Sequence, residues 1–237
     1  MPEEGVNLNE VPPAEPEPVE LAVYDFDGTL LHGKSPVILM RRLFVEHAIK
    51  PLNLLLIGLW GIAYKMHVPP NEAWVRCRVF RAFEGKPRGE VDAYLARFYE
   101  ENIAHRLRPE MLEAIERDRA DGCTIVTVSA TFEPIVRRMA ELGVVDYAVA
   151  TRMVVNSKGR YEARVDGTPV EGEEKLATLT RLADEKFGRG AWRIRRAYSD
   201  HYSDKPLLYA ADEPTAVYPD HSLARAAKRN GWPIIGE

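Results

Sequence analysis

LAVYDFDGT, residues 21–29, decides the fold. Leu21-Ala22-Val23-Tyr24 is an unbroken apolar run that ends in Asp25-Phe26-Asp27, and Gly28-Thr29 follow at once. A short apolar run without polar alternation suits a strand buried on both faces of a parallel sheet. In an open α/β sheet, ligands bind beyond the carboxyl ends of the strands, which is where these two acids fall. Two such carboxylates repel one another unless a cation lies between them, and a hard, oxygen-seeking Mg²⁺ is the obvious choice. The plainer reading is a strand-to-loop junction with Asp and Gly as turn residues.

Working outward toward the C-terminus, CTIVTVS (123–129) reads as a second buried strand ending at Ser129-Ala130. A hydroxyl and backbone N–H groups at the mouth of a helix make an anion cradle, although serine is also an ordinary helix cap there. A helix is expected from Glu133 to Leu142, closed by Gly143. DYAVAT (146–151) reads as a strand and residues 152–165 as a hairpin turning near Ser157-Lys158-Gly159, either a small flap over the site or a solvated ribbon. A helix follows from Glu173 to Phe187. Lys175 falls in its first turn, where the helix dipole disfavours a cation; it is a solvated surface charge or an anion ligand. RIRRAYSD is a strand ending at Asp200, and Asp204 lies four residues on, in a stretch that equally suits a helix-capping loop. TAVYP gives a last strand and HSLARAAKRN a last helix. Strands alternating with helices predict a doubly wound α/β core.

Working outward the other way, residues 1–18 hold five Pro and five Glu without Lys or Arg and read as a disordered tail. They carry neither a basic nor an apolar leader region, so no secretory signal is expected and a cytoplasmic location is. Residues 35–107 read as helices falling between the first and second core strands, hence an insertion. The net charge is -4, but the first twenty residues hold six Glu, so the remainder lies near +2 and no basic footprint for nucleic acid exists. The two cysteines, Cys77 and Cys123, give no disulfide framework, and Cys123 is expected in the core.

Asp25 with Asp27, then Ser129, Lys175, and Asp200 with Asp204 occur in the order of the motifs of the haloacid dehalogenase-like (HAD) superfamily. The chain resembles that superfamily from Glu20 to its C-terminus and is similar to the phosphoserine phosphatase-like branch, subfamily IB, and to phosphatidylglycerophosphate phosphatases. The resemblance implies a Rossmann-like HAD core with a parallel sheet, formed by residues 19–34 and 108–237, and a helical cap at 35–107. It implies a Mg²⁺-dependent phosphomonoester hydrolase. Asp25 is then the nucleophile that becomes an aspartyl phosphate, and Asp27 the acid and base. Asp25, the Asp27 carbonyl and Asp200 are expected to hold the metal with Asp204 nearby. Ser129, Lys175 and N–H groups near Gly28 and Ala130 are expected to hold the phosphoryl oxygens.

The cap sets expectations about substrate. The phosphoserine phosphatases place a glutamate nine residues beyond the nucleophile to meet the substrate ammonium; here that residue is Lys34. Residues 35–107 hold eleven Lys and Arg against seven Asp and Glu, which makes Arg41, Arg42, Lys50, Arg76 and Arg78 candidates for meeting an anion. PLNLLLIGLWGIAY (51–64) is too short to span a bilayer, which takes about twenty residues, but suits either a buried helix or an interfacial patch with peripheral membrane contact. The expected substrate is therefore anionic or lipid-like, of the phosphatidylglycerophosphate type. Phosphoserine or another small phosphorylated metabolite is the alternative. A catalytically silent binding or membrane-peripheral protein is the alternative of another class.

Overall fold

A computed structural model of the protein describes residues 17–46 and 79–236. The expectations for residues 1–16, for the run 51–64 and for Lys50, Arg76 and Arg78 fall outside the described residues. Among the described residues no helix is long and apolar enough to cross a membrane.

The quoted stretch is β1, Val19–Asp25, at the centre of a six-stranded parallel sheet. β2 (Thr124–Phe132) and β3 (Tyr147–Thr151) extend the sheet on one side. β6 (Trp192–Ser199), β7 (Glu213–Val217) and β8 (Ile234–Ile235) extend it on the other, giving the order β3-β2-β1-β6-β7-β8. The chain thus lays strands outward from β1 in one direction, then returns to build in the other. That reversal opens a crevice at the carboxyl ends beside β1. The apolar run is continuous because both faces of β1 are covered. Ala22 and Tyr24 enter one apolar cluster and Leu21 and Val23 the other, with all four fully buried. Cys123 is buried, as expected, and unpaired.

The inserted segment begins with α1 (Ser35–Val45), which has Pro36 in its first turn, where a missing N–H costs nothing. It continues through a helical piece at 79–81 to α2 (Arg88–Phe98). A π-helical turn, Tyr99–Ile103, and a 3₁₀ turn, Ala104–Arg106, then lead back to the core. The expected single helix over 89–107 is therefore broken near its end. Among the described residues the apolar side chains of the insertion join the core: Leu39, Leu43, Phe83, Leu95 and Phe98 belong to the cluster that holds Ala22 and Tyr24. Its two linkers run side by side, since Leu31 bridges Leu107 and the Arg108 N–H donates to the Leu30 carbonyl.

The return to the sheet runs through α3 (Pro109–Ala120), and α4 (Glu133–Glu141) follows β2. The hairpin is present as β4 (Met153–Val155) against β5 (Tyr161–Val165). It is neither a flap nor a solvated ribbon, because it is stitched to the insertion. Gly85 N–H donates to Tyr161 O at 2.8 Å, Tyr161 N–H to Lys86 O at 3.0 Å, and Arg88 N–H to Gly159 O at 2.9 Å. α5 (Glu173–Phe187), a short α6 (Lys205–Tyr209) and α7 (His221–Asn230) complete the layers. α7 starts on an Asp220 side chain that caps Ser222 and Leu223 and stops at Gly231 in the left-handed conformation.

Candidate active site

The carboxyl ends of β1, β2 and β6, with the first turn of α5, bring Asp25, Asp27, Ser129, Lys175, Asp200 and Asp204 to one mouth. Asp25 closes β1 and is 4% exposed. One of its oxygens accepts from Lys175 Nζ at 2.5 Å and the other from Thr29 Oγ1 at 2.9 Å. Burial on its own raises the Asp25 carboxyl, but Lys175 and Lys34 outweigh it and hold the group below its ordinary range. It is therefore an anion with one donor on each carboxylate oxygen.

Lys175 is not a solvated surface charge. It is buried in the first turn of α5 and bridges Asp25 to Asp204, whose Oδ2 lies 2.6 Å away. Ser199 Oγ donates to the same Asp204 oxygen at 2.6 Å. Asp204 was expected beside a metal; its carboxylate is instead engaged in fixing Lys175. Two carboxylates outweigh the cost of burying this ammonium and push it up.

Asp27 lies two residues past the nucleophile in different surroundings. The chain turns after β1, and Asp27 Oδ1 accepts the Ser35 N–H at the start of α1 at 2.5 Å, while Oδ2 accepts from Ser35 Oγ at 3.0 Å. Ser35 Oγ is in turn 2.6 Å from Thr131 Oγ1. Burial raises the Asp27 carboxyl from an ordinary 3.8 to about 6, with help from the Asp25 charge and against the pull of Lys34 and the Ser35 N–H. A carboxyl titrating near 6 can give and take a proton near neutral pH. The sequence marked neither Ser35 nor Thr131. The only signal was the helix start at Ser35-Pro36, which says nothing of what its N–H would hold.

Ser129 is fully buried at the exit of β2, and its Oγ accepts the Thr131 N–H at 3.1 Å, which leaves the hydroxyl proton to another acceptor. The register of β2 on β3 shifts just beyond it, and half-buried Ala130 lies in that irregular stretch at the mouth. Gly28 departs from expectation, because its N–H donates to the Leu31 carbonyl at 3.0 Å rather than serving as an anion ligand. What the site needs there is the absent side chain. The φ is +99°, and a Cβ would lie 2.0 Å from Asp200 Oδ2 and 2.8 Å from Lys34 Nζ.

Two of the basic residues expected to meet an anion, Arg42 and Lys34, are engaged by groups of the protein itself. Arg42 turns away from the mouth, pairs with Glu46, and donates to Glu101 at 2.7 Å and Asn102 at 2.9 Å, so it ties α1 to the π-helical turn. Arg41 is exposed on α1. Lys34, expected to face the substrate, lies inside the site: Nζ donates to the Asp27 carbonyl at 2.5 Å and to Asp200 Oδ2 at 2.9 Å. Burial lowers Lys34, but Asp200, Asp25 and Asp27 together more than reverse that and push it up. Burial and the Asp25 charge raise Asp200 against the pull of Lys34.

Among the described residues no three His, Cys, Asp or Glu side chains gather as a metal cage. The donor set that fits a metal is two carboxylates, Asp25 and Asp200, with the main-chain carbonyl of Asp27. All are oxygens, and a cation, the Lys34 ammonium, already lies on two of them. A small all-oxygen set of this kind suits Mg²⁺, which keeps positions for water and phosphate.

Known proteins resemble this chain in sequence and in fold. The chain is 29% identical over 227 residues to a histidinol-phosphatase of Neisseria meningitidis serogroup C, covering 91% of this chain and 97% of that one. A crystal structure of a Bordetella pertussis protein with unknown function superposes with a TM-score of 0.79 at 24% identity, over 92% of this chain and 99% of that one. A phosphoserine phosphatase holding an analogue of its phospho-aspartyl intermediate superposes with a TM-score of 0.63 at 19% identity, over 93% and 95% of the two chains. The model of the family described as haloacid dehalogenase-like hydrolase matches residues 22–209, a span from β1 to the end of α6, and the chain belongs to that family.

Proposed function

We propose that the protein is a Mg²⁺-dependent phosphatase that hydrolyses small phosphomonoesters through an aspartyl phosphate on Asp25. The observation that carries this is the contrast between Asp25 and Asp27. The first is kept ionised by Lys175 and Thr29, the second is poised near 6 on the start of α1, and both face one mouth. An Asp25 oxygen attacks phosphorus while Asp27 gives its proton to the departing oxygen, so the phosphorus–oxygen ester bond breaks and an alcohol leaves. Asp27, now a carboxylate, takes a proton from water. The hydroxide adds to phosphorus and releases phosphate and the Asp25 carboxylate. Lys175 and the Ser129 hydroxyl supply positive charge and hydrogen bonds to the phosphoryl oxygens throughout. Asp25, the Asp27 carbonyl and Asp200 would hold Mg²⁺, which supplies charge neutralisation for the phosphoryl group.

As to substrate, relatives named for histidinol phosphate and phosphoserine act on ammonium-bearing molecules. Here Lys34 brings a cation to the site, which favours leaving groups with net negative charge and no ammonium. Arg42 is engaged elsewhere and supports no lipid headgroup, so a small metabolite is favoured over a lipid.

Asp25→Asn should fold normally and lose roughly a thousandfold or more in kcat, because an amide forms no acyl phosphate. Rapid acid quench of the wild type with labelled substrate should trap phosphate on Asp25, located by mass spectrometry. Substantial turnover in Asp25→Asn would sink the covalent route. On a panel of phosphoserine, histidinol phosphate, sugar-acid phosphates and phosphatidylglycerophosphate, kcat/KM should be highest for the sugar-acid phosphates, whose leaving groups carry a carboxylate and no ammonium. The opposite ranking would overturn the substrate reading alone.

A further inference from the structure

Lys34 raises a question that the proposed chemistry does not absorb. Its ammonium occupies two of the three oxygens assigned to the metal, the Asp27 carbonyl and Asp200 Oδ2. We infer that Lys34 is a resident counter-ion of the metal seat, which a divalent cation must displace before the site is loaded; this rests on the metal reading of Asp25, Asp27 and Asp200 above.

Three features support displacement over coexistence. The first is room. A single added carbon at Gly28 would lie 2.0 Å from Asp200 Oδ2 and 2.8 Å from Lys34 Nζ, so the oxygens, the ammonium and the chain are already in contact. A carboxylate oxygen that receives Mg²⁺ at about 2.1 Å cannot keep an ammonium proton in the same direction. The second is freedom to move. Lys34 precedes the first residue of α1 in an extended conformation, and its side chain keeps 42% of its exposure while that of Asp200 keeps 14%. The four-carbon stem can withdraw by changing rotamers with the helix left in place.

The third feature is charge. With Asp27 ionised the site holds four carboxylates, Asp25, Asp27, Asp200 and Asp204, against two ammonium groups, Lys34 and Lys175, an excess of two negative charges. Four acids, Asp25 and Asp204 buried and Asp27 and Asp200 half-buried, with a single ammonium would be costlier still, so before metal arrives Lys34 holds the carboxylates together. With Lys34 withdrawn the excess is three, and a divalent ion lowers it to one, so the seat no longer depends on Lys34 to hold its carboxylates together. A phosphate dianion then restores two negative charges, and a Lys34 displaced only as far as the mouth is placed to meet them. The same residue thus guards the empty seat and, once displaced, offers its charge to the incoming anion.

The test is direct Mn²⁺ binding, read from the loss of the free-ion paramagnetic resonance signal with no substrate present. Lys34→Met and Lys34→Gln should bind Mn²⁺ at least about tenfold more tightly than wild type. Asp200→Asn should lose binding, which locates the site. Equal affinity in wild type and both Lys34 variants overturns the inference and leaves the metal site standing. Absence of binding in all of them overturns the metal reading itself. Binding in the variants but not in wild type supports the competition and overturns metal dependence in the natural protein. The wild type gives a check independent of any variant. In crystals soaked with Mn²⁺, anomalous scattering should place the ion on Asp25, the Asp27 carbonyl and Asp200, with Lys34 Nζ withdrawn beyond hydrogen-bonding distance of Asp200. An ion bound with Lys34 still on Asp200 overturns the inference.

Discussion

Asp25 and Asp27 have the same side chain, two positions apart, and opposite tendencies. The difference comes from partners: a buried ammonium for Asp25, and a helix-start N–H with a serine hydroxyl for Asp27. The Asp27 shift has a thermodynamic signature whose sign follows from linkage. A carboxyl raised from 3.8 to about 6 binds its proton more tightly in the folded chain, so folding is favoured at low pH and that advantage is lost as pH rises from about 4 through 6. In chelator, the melting temperature of Asp27→Asn relative to wild type should therefore climb in the variant's favour across that window and level off above it. A pH-independent difference would show that Asp27 does not titrate there. Gly28→Ala tests the close approach. Its Cβ meets Asp200 and its φ is one that alanine resists, so the fold should survive while kcat/KM falls on the order of a hundredfold. The acids, Ser129 and Lys175 were legible because each ends a strand or starts a helix in a motif with fixed order. The roles of Lys34, Ser35 and Asp204 were not. Lys34 meets a carboxylate 166 positions away, and no local spacing encodes which partner a long side chain reaches.

At the scale of elements, α3 carries the chain from the insertion back to β2 and is pinned at one buried carboxylate. Asp118 is fully buried. It accepts from Tyr24 Oη at 2.5 Å and from Arg196 at 2.8 Å, and Tyr24 stacks on Tyr198 with centroids 4.4 Å apart. Removing the carboxylate leaves the buried Tyr24 hydroxyl without its acceptor and takes one of three carboxylates from Arg196, with Asp121 and Glu213 remaining. Asp118→Ala should cost roughly 1–3 kcal/mol in urea unfolding, whereas a surface acid such as Glu116 should cost well under 1. A small loss at Asp118 would mean that α3 is held by its apolar stripe alone. α5 and α7 were legible to the residue, since α7 has Asp220 and Gly231 at its ends and α5 lies between Gly172 and Gly188. α3 was not read as a helix. Half of its residues are charged, and the buried stripe of Met111, Ala114 and Ile115 is too narrow to show a period by eye.

At the scale of the molecule, the insertion and one face of the sheet share a single apolar cluster. They should unfold together. Phe98→Ala, a fully buried change on α2, should cost about 3–5 kcal/mol, and hydrogen exchange should quicken in β1 as well as in α2. Faster exchange confined to α2 would show that the insertion opens on its own. The parallel sheet was readable from alternating strands and helices. The shared core was not, since it depends on which faces meet across distant segments.

The stitched hairpin has a mechanical consequence. The two covalent linkers lie side by side at Leu31 and Leu107, and two adjacent attachments alone leave a body one axis about which to rotate. The ribbon that leaves the end of β3 adds a third attachment, at residues 85–88, away from that line. Arg137 and Arg138 on α4 reinforce it through Asp92 and Glu100. Turning the described part of the insertion about the linker pair therefore has to break the backbone hydrogen bonds at residues 85–88 and the Arg137–Asp92 and Arg138–Glu100 contacts.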